Sequence, residues 1–206
     1  SSRSRLIAAV VPSTVVSVFM ETIESLNATL FDAGYQLMLG QSGYSLAREE
    51  VLLEAIIGRR PDGIFLTGIL PPGKARTRLL ASGIPVIETW DLTPTPIDML
   101  IGFSHSDIGR DVARFLMGKG YQRFAIVRAE DERADRRTLA FQEVVAQQNL
   151  PPVFVVNVGA SRSLKSGREA MTRILAEAPN IDAIFCSSDL LALGVMTEAR
   201  ARGISV

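Results

Sequence analysis

The chain has 206 residues, enough for one large α/β domain or for two lobes with separate cores, and is 47% hydrophobic and 21% charged, as ordinary globular proteins are. Its 22 Lys plus Arg balance 22 Asp plus Glu, so the formal charge is zero, which argues against a strongly basic surface that grips nucleic-acid phosphates. A single cysteine, Cys186, excludes an internal disulfide framework and fits a reducing compartment, while no apolar run approaches the ~20 residues of a membrane-spanning helix.

Short apolar runs alternate with longer amphipathic ones. Residues 6–11 form a continuous Leu/Ile/Ala/Val run and predict a strand. In residues 15–33 the apolar positions Val15, Val18, Phe19, Ile23, Leu26 and Leu30 recur at helical spacing up to Gly34, a natural helix stop. A strand over 35–40 precedes a helix that Ser45 can cap and that carries Leu52, Leu53, Ile56 and Ile57. Further strands are expected at 62–67, 85–90, 98–103, 124–128, 153–158 and 182–187, with helices at 74–82, 107–119, 135–148, 164–178 and 190–202. Most strands read as unbroken apolar stretches, which marks burial on both faces and hence parallel sheets. The rhythm breaks once. After 85–90 the segment Asp91-Leu92-Thr93-Pro94-Thr95-Pro96 leaves no room for a crossover helix. The reading is therefore an α/β chain of two Rossmann-like lobes with parallel sheets, residues 1–102 and 103–206.

Little in the sequence points to catalysis. His105 is the only histidine and is read as structural or positional, and no Cys/His cluster is available for a metal. No Gly-x-Ser-x-Gly elbow, Gly-x-Gly-x-x-Gly loop or P-loop occurs, so neither a hydrolase triad nor a nucleotide cofactor is expected. The pairs Asp107/Asp111 and Arg110/Arg114 read as a solvated helix face. Binding is better supported. In open α/β sheets ligands lie beyond the carboxyl ends of the strands, and in a two-lobed protein those ends face one crevice. The segments expected there carry Ser, Thr, aromatic, carboxylate and arginine residues, a mixture suited to a polyhydroxylated ligand. Arg128, Arg133, Arg136 and Arg137 stand out, because an inward arginine can hold a carboxylate through two parallel hydrogen bonds.

Several segments, in order, resemble the lac-repressor/GalR family of transcriptional regulators. They are Phe103-Ser-His-Ser-Asp107-Ile-Gly109, Gly120-Tyr-Gln-Arg123-Phe-Ala-Ile-Val127, Arg137-Thr-Leu-Ala140-Phe141 and Ser187-Ser188-Asp189-Leu-Leu-Ala192-Leu-Gly194. The opening Ile7-Ala-Ala-Val-Val-Pro12 and the turn Pro61-Asp62-Gly63-Ile64 fit as well. Ala140 stands where the family has Gly, and Ser188 where it has Asn. Within the family, Gln41-Ser-Gly-Tyr44, Ile84-Pro-Val-Ile-Glu88 and Asp131-Glu-Arg133 resemble gluconate-operon repressors.

The resemblance implies a periplasmic-binding-protein-like core that binds a small effector, a sugar or a sugar acid such as gluconate, without cofactor, metal or catalysis. It implies ligand contacts from Ser13, Phe19, Glu88, Trp90, Phe103, Arg137, Ser188 and Asp189. It also implies a cytoplasmic homodimer with no membrane association. Operator DNA would be read by an N-terminal helix-turn-helix head that these residues do not include. Effector binding would shift the balance between two lobe arrangements. Family members continue past the equivalent of Val206 into further second-lobe elements, so the C-terminal part of that lobe is expected to be missing here. A sugar-binding protein of an ABC transporter shares this fold and stays open as the main rival reading. A Rossmann-like enzyme stays open as a lesser one.

Overall fold

The structure is a computed structural model and describes residues 3–206. Among these, eight strands alternate with seven helices. The chain divides into two compact units, one ending at Phe103 and the other beginning at Ser104.

The first unit is a parallel sheet with helices on both faces. Strands β1 (Leu6–Val11), β2 (Gln36–Gln41), β3 (Gly63–Thr67), β4 (Val86–Thr89) and β5 (Met99–Ile101) lie in the order β2-β1-β3-β4-β5. Helices α1 (Ser17–Asp32), α2 (Leu46–Gly58) and α3 (Lys74–Ser82) make the first three crossovers. β1 pairs with strands on both sides and is buried on both faces, which is why its sequence is unbroken apolar. On one face Ala8, Val10, Ile64, Leu66 and Val86 pack against Leu53 and Ile56 of α2 and Leu79 of α3. On the other face Ala9 and Val11 meet Ile23 of α1. β4 and β5 pair in parallel without a helix between them, so residues 90–98 loop back outside the sheet.

In the second unit β6 (Phe124–Arg128), β7 (Phe154–Asn157) and β8 (Ala183–Cys186) form a parallel sheet in the order β7-β6-β8. Its helices are α4 (His105–Gly118), α5 (Glu132–Gln147), α6 (Leu164–Glu177) and α7 (Asp189–Ala201). β6 is central. Ala125 and Val127 face α6 and α7 through Ala170, Ile174, Leu191 and Val195. Phe124 and Ile126 face α4 and α5 through Ala113, Phe141 and Val144. The Phe141 ring meets Phe124 edge-on at 5.4 Å and stacks on Phe185 at 5.7 Å.

Both units use the same tie at the base of the sheet. The Asp62 carboxylate accepts the Ser4 and Arg5 backbone N–H groups, and the Asp182 carboxylate accepts those of Gln122 and Arg123. Each aspartate immediately precedes one strand, β3 or β8, and pins the entry to its neighbour, β1 or β6.

The starts of α1, α4, α5 and α7 differ from the sequence expectation by one to three residues, and two of them have a clear cause. α4 begins at His105 because the Ser104 hydroxyl accepts the Asp107 N–H at 3.1 Å, and α5 begins at Glu132 because Asp131 accepts the Ala134 N–H at 2.9 Å. Both are N-caps, and the cap lies outside the apolar period that marks a helix in sequence. Glycines then let the helices touch. A Cβ on Gly109 would lie 2.1 Å from the Arg137 carbonyl oxygen, so α4 and α5 pack backbone to backbone. Gly167 and Gly194 do the same for α6 and α7.

Candidate functional site

At the carboxyl ends of the first sheet the chain gathers three aromatic rings. Phe19 sits in the first turns of α1 and is buried. Its ring meets Trp90 edge-on at 5.1 Å, and Trp90 meets Phe103 edge-on at 5.7 Å. Such pairs contribute ~0.5–1.5 kcal/mol beyond area burial. Trp90 adopts φ 65°, the left-handed region that a bulky residue occupies only at a cost of about 1–3 kcal/mol. The backbone around it is held on both sides. Its N–H donates to the Ile101 carbonyl at 3.2 Å, and Gly102 lies so close to Asp91 that a Cβ there would sit 1.8 Å from its carbonyl oxygen. Ser13 closes a local turn before α1, its hydroxyl accepting the Val15 N–H at 3.2 Å.

Glu88 behaves differently from its aromatic neighbours. It is 0% exposed and on the same face of the sheet as Val86. One carboxylate oxygen accepts the Leu70 N–H at 3.0 Å and the other accepts the Ile97 N–H at 2.6 Å. Glu88 therefore ties the loop after β3 to the loop before β5.

In the second unit the carboxyl ends of β6 and β8 surround Arg137. Its Nη1 donates to His105 Nδ1 at 2.7 Å and its Nη2 donates to the Ser187 carbonyl at 3.2 Å. A guanidinium can only donate, so the imidazole presents its lone pair at Nδ1 and carries its proton on Nε2. Ser187 in turn accepts the Ala129 N–H through its hydroxyl at 3.0 Å, joining β8 to the end of β6. Other arginines of the unit are matched to carboxylates, Arg162 and Arg128 among them. Arg162 pairs with Asp131 at 2.6 Å, and Arg128 bridges to Asp135. Ser188 accepts the Leu191 N–H at 3.4 Å as the N-cap of α7, so the hydroxyl expected to touch ligand is engaged in capping. Asp189 opens α7 and is exposed, where a negative charge complements the helix dipole.

The electrostatics centre on Arg137. Burial pushes its pKa below the usual arginine value. Asp131 opposes that shift, while the like charges of Arg133, Arg136 and Arg162 add to it. Burial also pushes the Asp131 carboxyl up, but the Ala134 amide and the Arg162 and Arg137 charges outweigh it and hold Asp131 below the usual carboxylate range. Apart from this centre, burial pushes the Cys186 thiol up to about 12. Among the described residues no cluster of three or more His, Cys, Asp or Glu could hold a metal ion, and no helix is long and apolar enough to cross a membrane.

The structure brings Phe19, Trp90 and Phe103 together in one unit, although Phe103 was expected to open the second lobe, and places Arg137, Ser188 and Asp189 in the other. The sequence reading missed Asp131, Arg162 and the Ser187 carbonyl as neighbours of Arg137. Asp131 carries the signal of an N-cap. Arg162 carries none, since it lies in the loop after β7 where no period constrains it.

Comparison with known proteins supports this fold. Residues 113–206 match a periplasmic binding protein-like domain. The crystal structure of a LacI family transcriptional regulator from Silicibacter pomeroyi superposes with a TM-score of 0.90 at 29% identity, covering 98% of this chain and 76% of that one. The transcription regulator GntR from Chromobacterium violaceum superposes with a TM-score of 0.87 at 31% identity, over 98% of this chain and 74% of that one. The chain belongs to the lac-repressor/GalR family. Family members of similar sequence include the HTH-type transcriptional regulator GntR of Pseudomonas aeruginosa, 31% identical over 100% of this chain, and that of Escherichia coli, 28% identical over 100%. The chain spans 61% and 62% of the length of these two relatives.

Proposed function

We propose that this chain is the effector-sensing part of a ligand-responsive transcriptional repressor, and that its effector is a sugar acid such as gluconate. The observation that carries the reading is Arg137: a half-buried guanidinium at the strand ends, oriented on two fixed acceptors and set among further arginines. A half-buried cation in such company is stabilised by an arriving carboxylate, which can take two parallel N–H bonds from the guanidinium edge. The relatives named as HTH-type transcriptional regulators support the regulatory role; the reading adds a cytoplasmic homodimer that meets operator DNA through a helix-turn-helix segment and acts by binding. Asp189 joins Arg137 as a polar contact in this reading, with Ser188 contributing through its position as cap.

Isothermal calorimetry with gluconate and with glucitol, its neutral counterpart, tests it. Hydrogen bonds to charged groups contribute ~1.5–3 kcal/mol, so Arg137→Met is expected to weaken gluconate about 10- to 100-fold and glucitol much less. Absence of binding by any sugar acid would sink the effector assignment, and equal losses for both ligands would sink the role of Arg137.

A further inference from the structure

Arg137 differs from the other well-placed arginines of its unit in what holds it. Arg162 and Arg128 are each aimed by a carboxylate. Arg137 is aimed by an imidazole nitrogen and a backbone carbonyl, both uncharged acceptors. The distinction matters electrostatically. A carboxylate that orients a guanidinium also compensates its charge and competes with an incoming anion. A neutral acceptor fixes the same plane and leaves the positive charge available.

The scaffold that places His105 is stiff. It is 3% exposed and is the first residue of α4 after the Ser104 cap. One turn on, Gly109 presses α4 against the Arg137 backbone of α5, where a Cβ would be 2.1 Å from the carbonyl oxygen. Helix α4 therefore cannot slide relative to Arg137 without losing that contact. The second acceptor, the Ser187 carbonyl, is fixed because its own side chain is tied to the Ala129 amide at 3.0 Å. The imidazole must stay neutral to do this, since an imidazolium has no lone pair to offer Nη1.

We propose that His105 is the specificity-determining residue of this site: as a neutral acceptor it pre-orients Arg137 without compensating its charge, and so sets the site's preference for an acidic over a neutral polyol. The binding part of this inference rests on the reading of Arg137 as an effector contact. The geometric part does not.

The test uses His105→Asn, whose side-chain oxygen can replace Nδ1 as a neutral acceptor, and His105→Asp, which supplies an acceptor that carries charge. Gluconate and glucitol affinities are measured by calorimetry on the full chain. Wild type and His105→Asn are expected to share the preference for gluconate, whereas His105→Asp loses gluconate affinity by about tenfold or more with glucitol little changed, since a charge-assisted bond is being neutralised. An unchanged acid-to-neutral ratio in His105→Asp overturns the proposal. So does an equal loss of both ligands in His105→Asn, which would mark His105 as merely structural.

A second measurement needs no sugar. His105 is the only histidine, so one long-range 1H–15N spectrum of the labelled chain reads its tautomer directly. The expected form has the proton on Nε2, and a proton on Nδ1 overturns the proposal whatever binds. If neither polyol binds wild type, the sugar-acid reading falls while this inference is judged by inorganic phosphate in a thermal-shift assay. Phosphate is expected to stabilise wild type and His105→Asn more than His105→Asp, and equal stabilisation overturns it.

Discussion

Glu88→Gln removes one charge at constant shape. Glu88 is fully buried, and its two oxygens accept the Leu70 and Ile97 N–H groups at 3.0 and 2.6 Å. Gln offers one oxygen and one NH2. Whichever way the amide turns, a donor then faces a backbone donor. One charge-assisted bond of ~1.5–3 kcal/mol is lost, and the other falls to the ~0.5–1.5 kcal/mol of a neutral bond. Relief from burying a charge offsets part of this. The net expectation is a destabilisation of about 2–3 kcal/mol. For a unit of this size the urea m-value is ~1–3 kcal/mol/M, so the midpoint should fall by about 1–2 M. Trp90 is the only tryptophan and lies in the same unit, so its fluorescence in a urea titration reports this loss directly. Where the variant is folded, gluconate affinity should stay within about threefold of wild type, because the carboxylate is engaged inside the unit. The reasoning is refuted if the midpoint holds while gluconate binding disappears, which is the signature of a ligand contact.

Three further outcomes are expected. Gly109→Ala and Gly118→Ala make the same change in α4 with opposite sign: the first sets a Cβ 2.1 Å from a backbone oxygen and should lower the melting temperature, whereas the second meets nothing within 4 Å and should raise it through the ~1 kcal/mol helix preference of Ala over Gly. Asp131 has its folded pKa held below 3.8, so its contribution to stability is present above that value and is lost as pH falls through the depressed folded pKa. Asp131→Asn retains a capping oxygen, and its denaturation midpoint should therefore fall less steeply than that of wild type on acidification below about pH 4. Cys186, with its thiol pushed up to about 12 by burial, should react slowly with a thiol reagent at neutral pH and quickly in urea. Rapid labelling of the folded protein would contradict that burial.

The alternation of elements was legible in the sequence because burial on both sides leaves a mark on every residue of a strand. β1 and β6 were placed to the residue, since each is an interior strand paired on both sides and has no exposed positions to dilute the apolar run. Helix starts were less legible. Ser104 and Asp131 act through one side-chain oxygen each, outside the period. The motif glycines Gly109 and Gly194 could be quoted from the sequence, but that they permit contact between helix backbones is a property of pairs, visible only once α4 meets α5 and α6 meets α7.

The candidate site divides the same way. Phe19, Trp90, Phe103 and Arg137 were named as contacts through the family resemblance, which residue type and order along the chain carry. Whether a polar side chain turns outward or inward is not local. Glu88 and Ser188 have the chemistry of ligand contacts, but the fold brings backbone N–H groups to their oxygens first. In the same way only the tertiary structure sets His105 on α4 against Arg137 on α5, 32 residues away, and makes a lone histidine the acceptor that aims the arginine.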